Sequence, residues 1–238
     1  ANTYLNLGME SELRSTLAEL DYAPGAMPFA DAILAGMRGD DAASLQLAQT
    51  QLAKTNDPIW RSLLINAALS LGELTLARRE INVIEPTLLT SLDATRAQPE
   101  AVLFAGELLL REGYHEQAKQ LLEDLLDIHA PPAQGYDAAA RKIIRAKILS
   151  CLDRPDEAIA ELTAAQQQGY RLLWDFDYFQ RLDRMPAFAS LRDDPRFLEI
   201  ISAIEADWRH INPRVSLSGV SVQPAGQPVT LNLSRVDA

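Results

Sequence analysis

Three segments of the sequence align with one another without gaps, and this internal repeat constrains the fold more than any other feature. They are LGELTLARREINVIEP (71–86), EGYHEQAKQLLEDLLD (112–127) and LDRPDEAIAELTAAQQ (152–167). Each has a turn residue, an alanine five residues later and an apolar residue four residues after that alanine. These positions are Gly72, Ala77 and Ile81; Gly113, Ala118 and Leu122; and Asp153, Ala158 and Leu162. Such self-similarity is typical of proteins whose units stack on their neighbours.

The spacing of apolar residues predicts that the repeated unit is a pair of helices. From Met27 to about Trp208 apolar residues recur at three- and four-residue steps, and the alternation of a β-strand is absent. Glycine and proline fall between the predicted helices. The helix before each turn carries a small residue, Gly106 or Ala146, where two helices would cross, with Ile65 as the exception. The sequence therefore predicts an all-α fold of closely crossing helix hairpins.

This pattern resembles the tetratricopeptide repeat (TPR), in which a glycine makes the turn and an alanine opens the second helix. The resemblance implies an α-α superhelix, a solenoid of helix hairpins with a concave groove. The aromatic positions of the family are mostly lost, and the step from Ala77 to Ala118 exceeds the usual period of about 34 residues. The repeats are expected at about 28–56, 58–86, 99–130 and 137–168.

Residues 169–212 are rich in aromatic side chains and are expected to cap the last repeat. The stretch FQRLDRMPAFASLRDDPRFLEII is similar to the segment that closes many bacterial TPR domains. Those domains often follow a winged-helix DNA-binding, adenylyl cyclase or kinase domain, so the resemblance implies part of a larger bacterial regulator. Asp194 and Pro195 should start a helix, with Phe197 holding it against the cap.

The two ends of the chain have patterns of their own. Leu5, Met9, Leu13, Leu17 and Leu20 share one face of a predicted helix, which would complete a helical domain spanning 1–212. Residues 213–238 alternate apolar with polar residues around AGQP, which predicts a short extended or β-hairpin tail. If this tail is ordered away from the helices, residues 214–238 are a candidate device for homo-oligomer formation. The chain begins at Ala1 without an initiator Met, and we expect a fragment of a longer protein.

The composition excludes several classes of function. The chain has 238 residues and a formal net charge of −11, which argues against direct nucleic-acid binding. Cys151 is the single cysteine, so an internal disulfide framework is excluded. The longest stretch without charged residues contains prolines and glycines, so membrane insertion is not expected. Both the cytoplasm and the periplasm remain compatible with these features.

No catalytic motif can be assembled from the sequence. His115 and Glu116 lack the second histidine of a zinc-protease helix, and no phosphate-binding glycine loop or nucleophile elbow is present. Cys151 is interpreted as a small core residue in preference to a nucleophile. We therefore expect a protein that is not an enzyme and that has no metal site and no cofactor.

The face of each first helix that would point into the groove offers polar side chains for a ligand. They are Asn66, Ser70, Glu107, Arg111 and Lys147. One hypothesis is a clamp on an acidic or C-terminal peptide, and the alternative is a solvated polar face. The main functional prediction is thus a non-catalytic protein- or peptide-binding module. A competing prediction is a small-molecule sensor whose pocket is lined by Trp174, Phe176 and Tyr178.

Overall fold

The computed structural model describes residues 4, 7, 9–19, 28–129, 136–175 and 180–211, and within these ranges the chain is predominantly α-helical. This confirms the all-α prediction. The helices are α1 (Glu10–Glu19), α2 (Pro28–Arg38), α3 (Asp41–Thr55), α4 (Pro58–Leu71), α5 (Leu74–Ile84), α6 (Leu88–Ser91), α7 (Pro99–Arg111), α8 (His115–Ile128), α9 (Tyr136–Cys151), α10 (Pro155–Gln167) and α11 (Pro195–Ile211).

Eight of these helices form four successive hairpins, which span 28–55, 58–84, 99–128 and 136–167. The pairs are α2 with α3, α4 with α5, α7 with α8, and α9 with α10. Each hairpin also packs on the next one, through α3 on α4, α5 on α7 and α8 on α9. The first helices of the last three hairpins contact one another as well, since α7 touches both α4 and α9. The hairpins are therefore stacked in chain order.

The turn positions inferred from the repeat adopt the left-handed conformation in all three aligned units. Gly72, Gly113 and Asp153 have φ values of 78°, 83° and 57°. In each turn the following amide donates to a carbonyl five residues earlier, as from Tyr114 N to Leu109 O at 2.8 Å. This bond satisfies a carbonyl that the helix end would leave unpaired. The repeat pattern thus marks three turn positions that share one backbone geometry.

Paired helices contact each other through the alanine that lies five residues after each turn residue and through the apolar residue four positions after that alanine. Ala77, Ala118 and Ala158 have no exposed surface, and Ile81 and Leu122 are equally buried. They belong to one apolar cluster that continues from the second hairpin into the cap. A smaller cluster joins α1, α2, α3 and α4 and includes Leu13, which places the N-terminal helix on the first hairpin.

The extra residues between the second and third hairpins are ordered and not merely a linker. They form α6 and a short 3₁₀ turn, Ala94–Arg96. Leu88 and Ala94 are 2% and 3% exposed and belong to the main apolar cluster. The irregular repeat spacing therefore reflects an inserted structural element.

The cap contains the only β-structure among the described residues, which the sequence interpretation missed. Strand β1 (Trp174–Asp175) pairs antiparallel with β2 (Gln180–Arg181). Two-residue strands are too short to show alternation, so helical spacing dominated the pattern there. Two 3₁₀ segments follow, Leu182–Arg184 and Pro186–Leu191, and then α11.

Helix α11 begins as its sequence predicts. The Asp194 carboxylate accepts a hydrogen bond from Arg196 N at 2.8 Å, and Pro195 is the first helical residue. Phe197 is fully buried, with its ring centroid 5.6 Å from that of Phe188. The predicted tail, 213–238, lies outside the described residues, and so does the end of the predicted N-terminal helix at Leu20. No helix in the described ranges has the length and apolarity needed to cross a membrane.

Candidate functional site

The polar residues predicted to line an open groove are mostly buried. Asn66, Glu107 and Lys147 are only 1%, 5% and 4% exposed, whereas Ser70 is half-buried and Arg111 is exposed. The expectation that the first three are accessible from solvent is therefore wrong. They do lie on the first helices of consecutive hairpins, α4, α7 and α9, as the repeat alignment requires. The cap packs on part of this face, through the 3₁₀ segment Pro186–Leu191 on α9 and through Asp175 on Lys147.

The cap segment connects the fourth hairpin to the first. Trp174 of β1 is 2% exposed and packs in the apolar cluster of the first two hairpins, among Trp60, Leu63 and Leu64. Strand β2 packs against α2, the first helix of the first hairpin. Sequence reasoning placed Trp174 in a cap on the last repeat, but spacing along the chain carries no information about such a long-range contact.

Lys147 forms the central ion pair of this face. Its Nζ lies 2.5 Å from Oδ2 of Asp175, and the two side chains are only 5% and 11% exposed. Both charges have therefore left water, and each depends on the other for stabilisation. Asp175 lies 28 residues after Lys147 in the sequence, and no motif links the two. Its role as the counterion of Lys147 becomes visible only when β1 is placed over α9.

A second polar contact fixes β2 to the first hairpin. Gln180 Nε2 donates to Oδ1 of Asp41 at 3.0 Å, across a large separation in sequence. Ser70 also donates to Asp41, so one predicted groove residue does belong to this site. Burial raises the pKa of the Asp41 carboxyl, and these two hydrogen bonds oppose that effect. Neither Asp41 nor Gln180 was identified from the sequence, where no motif marks them.

Glu107 is the least satisfied polar group of the face. Both of its carboxylate oxygens are buried, and neither has a hydrogen-bond partner among the described residues. Burial raises the pKa of Glu107 to about 7, although the positive charges of Arg111 and Lys147 oppose the shift. Burial also raises the pKa of the Cys151 thiol well above its ordinary value, with the Glu107 charge as the second cause. Cys151 is therefore poorly suited to act as a nucleophile.

The predicted aromatic pocket can be assessed only in part. Trp174 is buried in the apolar cluster of the first two hairpins and so does not line an accessible cavity. Phe176 and Tyr178 lie outside the described residues. The small-molecule sensor remains a prediction, and the position of Trp174 gives it no support.

The chemistry available on this face is recognition of charge. Across the described ranges no group of three or more His, Cys, Asp or Glu side chains could hold a metal ion. His115 and Glu116 are exposed in the first turn of α8. Comparison of the chain with protein-family models, with curated proteins and with solved structures gives no match. What the face holds is an extended segment carrying a carboxylate, bound by a buried lysine beside an exposed arginine.

Proposed function

We propose that this chain is a non-catalytic, TPR-like module that binds proteins through extended acidic peptides. The observation that carries the proposal is the pair between Lys147 and Asp175. There a lysine on the first helix of a hairpin binds the carboxylate of an extended segment. A peptide-binding groove acts on its ligand by the same chemistry. Arg111, exposed on the neighbouring first helix, adds a second positive charge for such a ligand.

The cap suggests the setting in which this module works. We propose that it is the effector or sensory C-terminal part of a larger bacterial signalling or transcription regulator. This rests on the similarity of the cap segment to those that close bacterial TPR domains. The hydrogen bond that starts α11 at Asp194, together with the burial of Phe197, supports the architectural part of that similarity.

The proposal is tested by selecting peptides from a random displayed library on the immobilised protein and titrating the enriched sequences. We expect acidic peptides that bind Arg111→Glu at least about tenfold more weakly than wild type, because the charge they contact is reversed. Lys119→Glu is the matched control, since Lys119 is exposed on the second helix of the same hairpin. A selection without any enriched peptide would overturn the proposed function.

A further inference from the structure

The β1 segment has the features of a bound ligand. It is extended, it inserts the indole of Trp174 among apolar side chains of the first two hairpins, and it places Asp175 on Lys147. Large aromatic anchors and buried charge pairs are the groups that carry most of the energy in protein interfaces. An aromatic residue followed directly by an acidic one is therefore what this face holds.

The intramolecular fit leaves several buried polar atoms without a hydrogen-bond partner among the described residues, and those of Glu107 are among them. Glu107 keeps two buried carboxylate oxygens without a partner among the described residues, close enough to Lys147 to sense its charge. A buried acceptor without a hydrogen bond destabilises the state that contains it. Few buried polar groups in native structures lack a partner. A different segment that supplied a donor here would make one more bond than β1 does.

We infer that β1 occupies the module's own ligand site, and that the partner is an extended peptide with an aromatic residue followed by Asp or Glu. This inference deepens the proposed function and rests on it. The partner replaces Trp174 among Trp60, Leu63 and Leu64, and its carboxylate replaces that of Asp175 on Lys147. Because β1 is tethered, it competes at a high effective concentration. The affinity measured for free peptide is therefore the intrinsic affinity multiplied by the fraction of molecules in which β1 has left the site.

The competition predicts opposite effects for the two partners of one ion pair. Asp175→Asn weakens the hold of β1 and should increase the affinity for a peptide added in trans. Lys147→Met removes the ammonium group that both β1 and the added peptide need. In the double variant with Asp175→Asn it should therefore abolish the gain in peptide affinity. Lys142→Met is the matched control, since Lys142 lies on the same helix and instead pairs with Glu161 at 3.1 Å. A purely structural ion pair would give no peptide binding in any of these variants.

The probe is a peptide of residues 170–175, YRLLWD, labelled with fluorescein at its N-terminus and amidated at its C-terminus. Fluorescence anisotropy should show at least about tenfold tighter binding to Asp175→Asn than to wild type. The same peptide ending in Asn should lose this binding, because its carboxylate is gone. Equal affinity for wild type and Asp175→Asn would overturn the inference. Dimerisation of Asp175→Asn would also overturn the inference, because it would show that a second copy of the chain occupies the site.

A second measurement uses wild-type protein in case Asp175→Asn does not fold. The amide of Leu182 donates to Leu173 O at 2.8 Å, next to the paired strands. Saturating peptide should raise the hydrogen-exchange rate of this amide while leaving amides of α4 protected. Unchanged exchange at Leu182 with peptide bound would overturn the inference. If library-selected peptides bind by a route that ignores both Asp175 and Lys147, the inference fails while the proposed function stands.

Discussion

Gly106 of α7 faces Leu122 of α8 so closely that a Cβ at position 106 would lie 2.6 Å from Leu122 Cδ2. Leu122 is fully buried and belongs to the main apolar cluster, so it cannot move aside without displacing its neighbours. The absence of a side chain at Gly106 thus sets the distance between the helices of the third hairpin.

Gly106→Ala should therefore destabilise the fold even though alanine favours helix. Overpacking of this kind typically costs about 1–3 kcal/mol, against a gain of about 1 kcal/mol in helix propensity. We expect a net loss of about 1 kcal/mol in the free energy of unfolding by urea. In a Leu122→Ala background the same change should cost nothing, since the contacting atoms are gone. An equal cost in both backgrounds would show that the contact is not the cause.

Glu107 should make the protein less stable as the pH rises. Its pKa is about 7 in the folded protein against 4.5 for an ordinary glutamate. Below pH 4.5 both states are protonated and there is no difference between them. Between these values the unfolded chain has released the proton while the folded chain keeps it, so the folded state loses stability. Above pH 7 the penalty is complete, at about 3 kcal/mol.

Glu107→Gln removes this titration and isolates it from other groups, such as His129. The free energy of unfolding of wild type minus that of the variant should fall between pH 4.5 and 8, and level off at the alkaline end. Urea titrations at four or five pH values measure this difference. A difference that stays constant over the range would contradict the assignment of the raised pKa to Glu107.

Glu80 pairs with one largely buried arginine and one exposed arginine, so the stability contributions of the two kinds of ion pair can be compared at one carboxylate. Its carboxylate accepts from Arg61 at 2.5 Å and from Arg79 at 2.7 Å, but the Arg61 side chain is 14% exposed and that of Arg79 67%. Arg61→Ala should cost about 3 kcal/mol, since it leaves the buried Glu80 charge without its shielded partner. Arg79→Ala should cost below about 1 kcal/mol. Equal costs in thermal or urea unfolding would refute this distinction.

Glycine, the residue at the other two turns, should stabilise the turn at Asp153. Asp153 has a φ of 57°, a conformation that glycine adopts without strain. Asp153→Gly should raise the free energy of unfolding by about 0.5 kcal/mol, after the greater freedom of glycine in the unfolded chain is counted. Gly113→Asp should lower it by about 1 kcal/mol. Reversed signs in urea unfolding would mean that side-chain contacts outweigh the backbone at these turns.

The repeated part of the fold could be predicted from the sequence because the residues that shape each repeat lie close together within it. Gly72, Gly113 and Asp153 specify a turn, and an alanine such as Ala118 specifies the crossing that follows. Both signals are local, so spacing alone reveals them. The candidate site was only partly predictable, since its lysine was identified but its counterion was not. Contacts such as Gln180 with Asp41 join distant parts of the chain, and no periodicity encodes them.

The contact of β2 with α2 also bears on how the protein unfolds. In a linear array of repeats the outermost units have a neighbour on one side alone, so they fray first and melting spreads inwards. Here the fourth hairpin carries a segment that packs on the first and second, which joins the two ends of the array through Trp174. Loss of either terminal unit then exposes surface at both ends at once. Such circular connectivity favours all-or-none melting, with the outer hairpins as resistant as the inner ones.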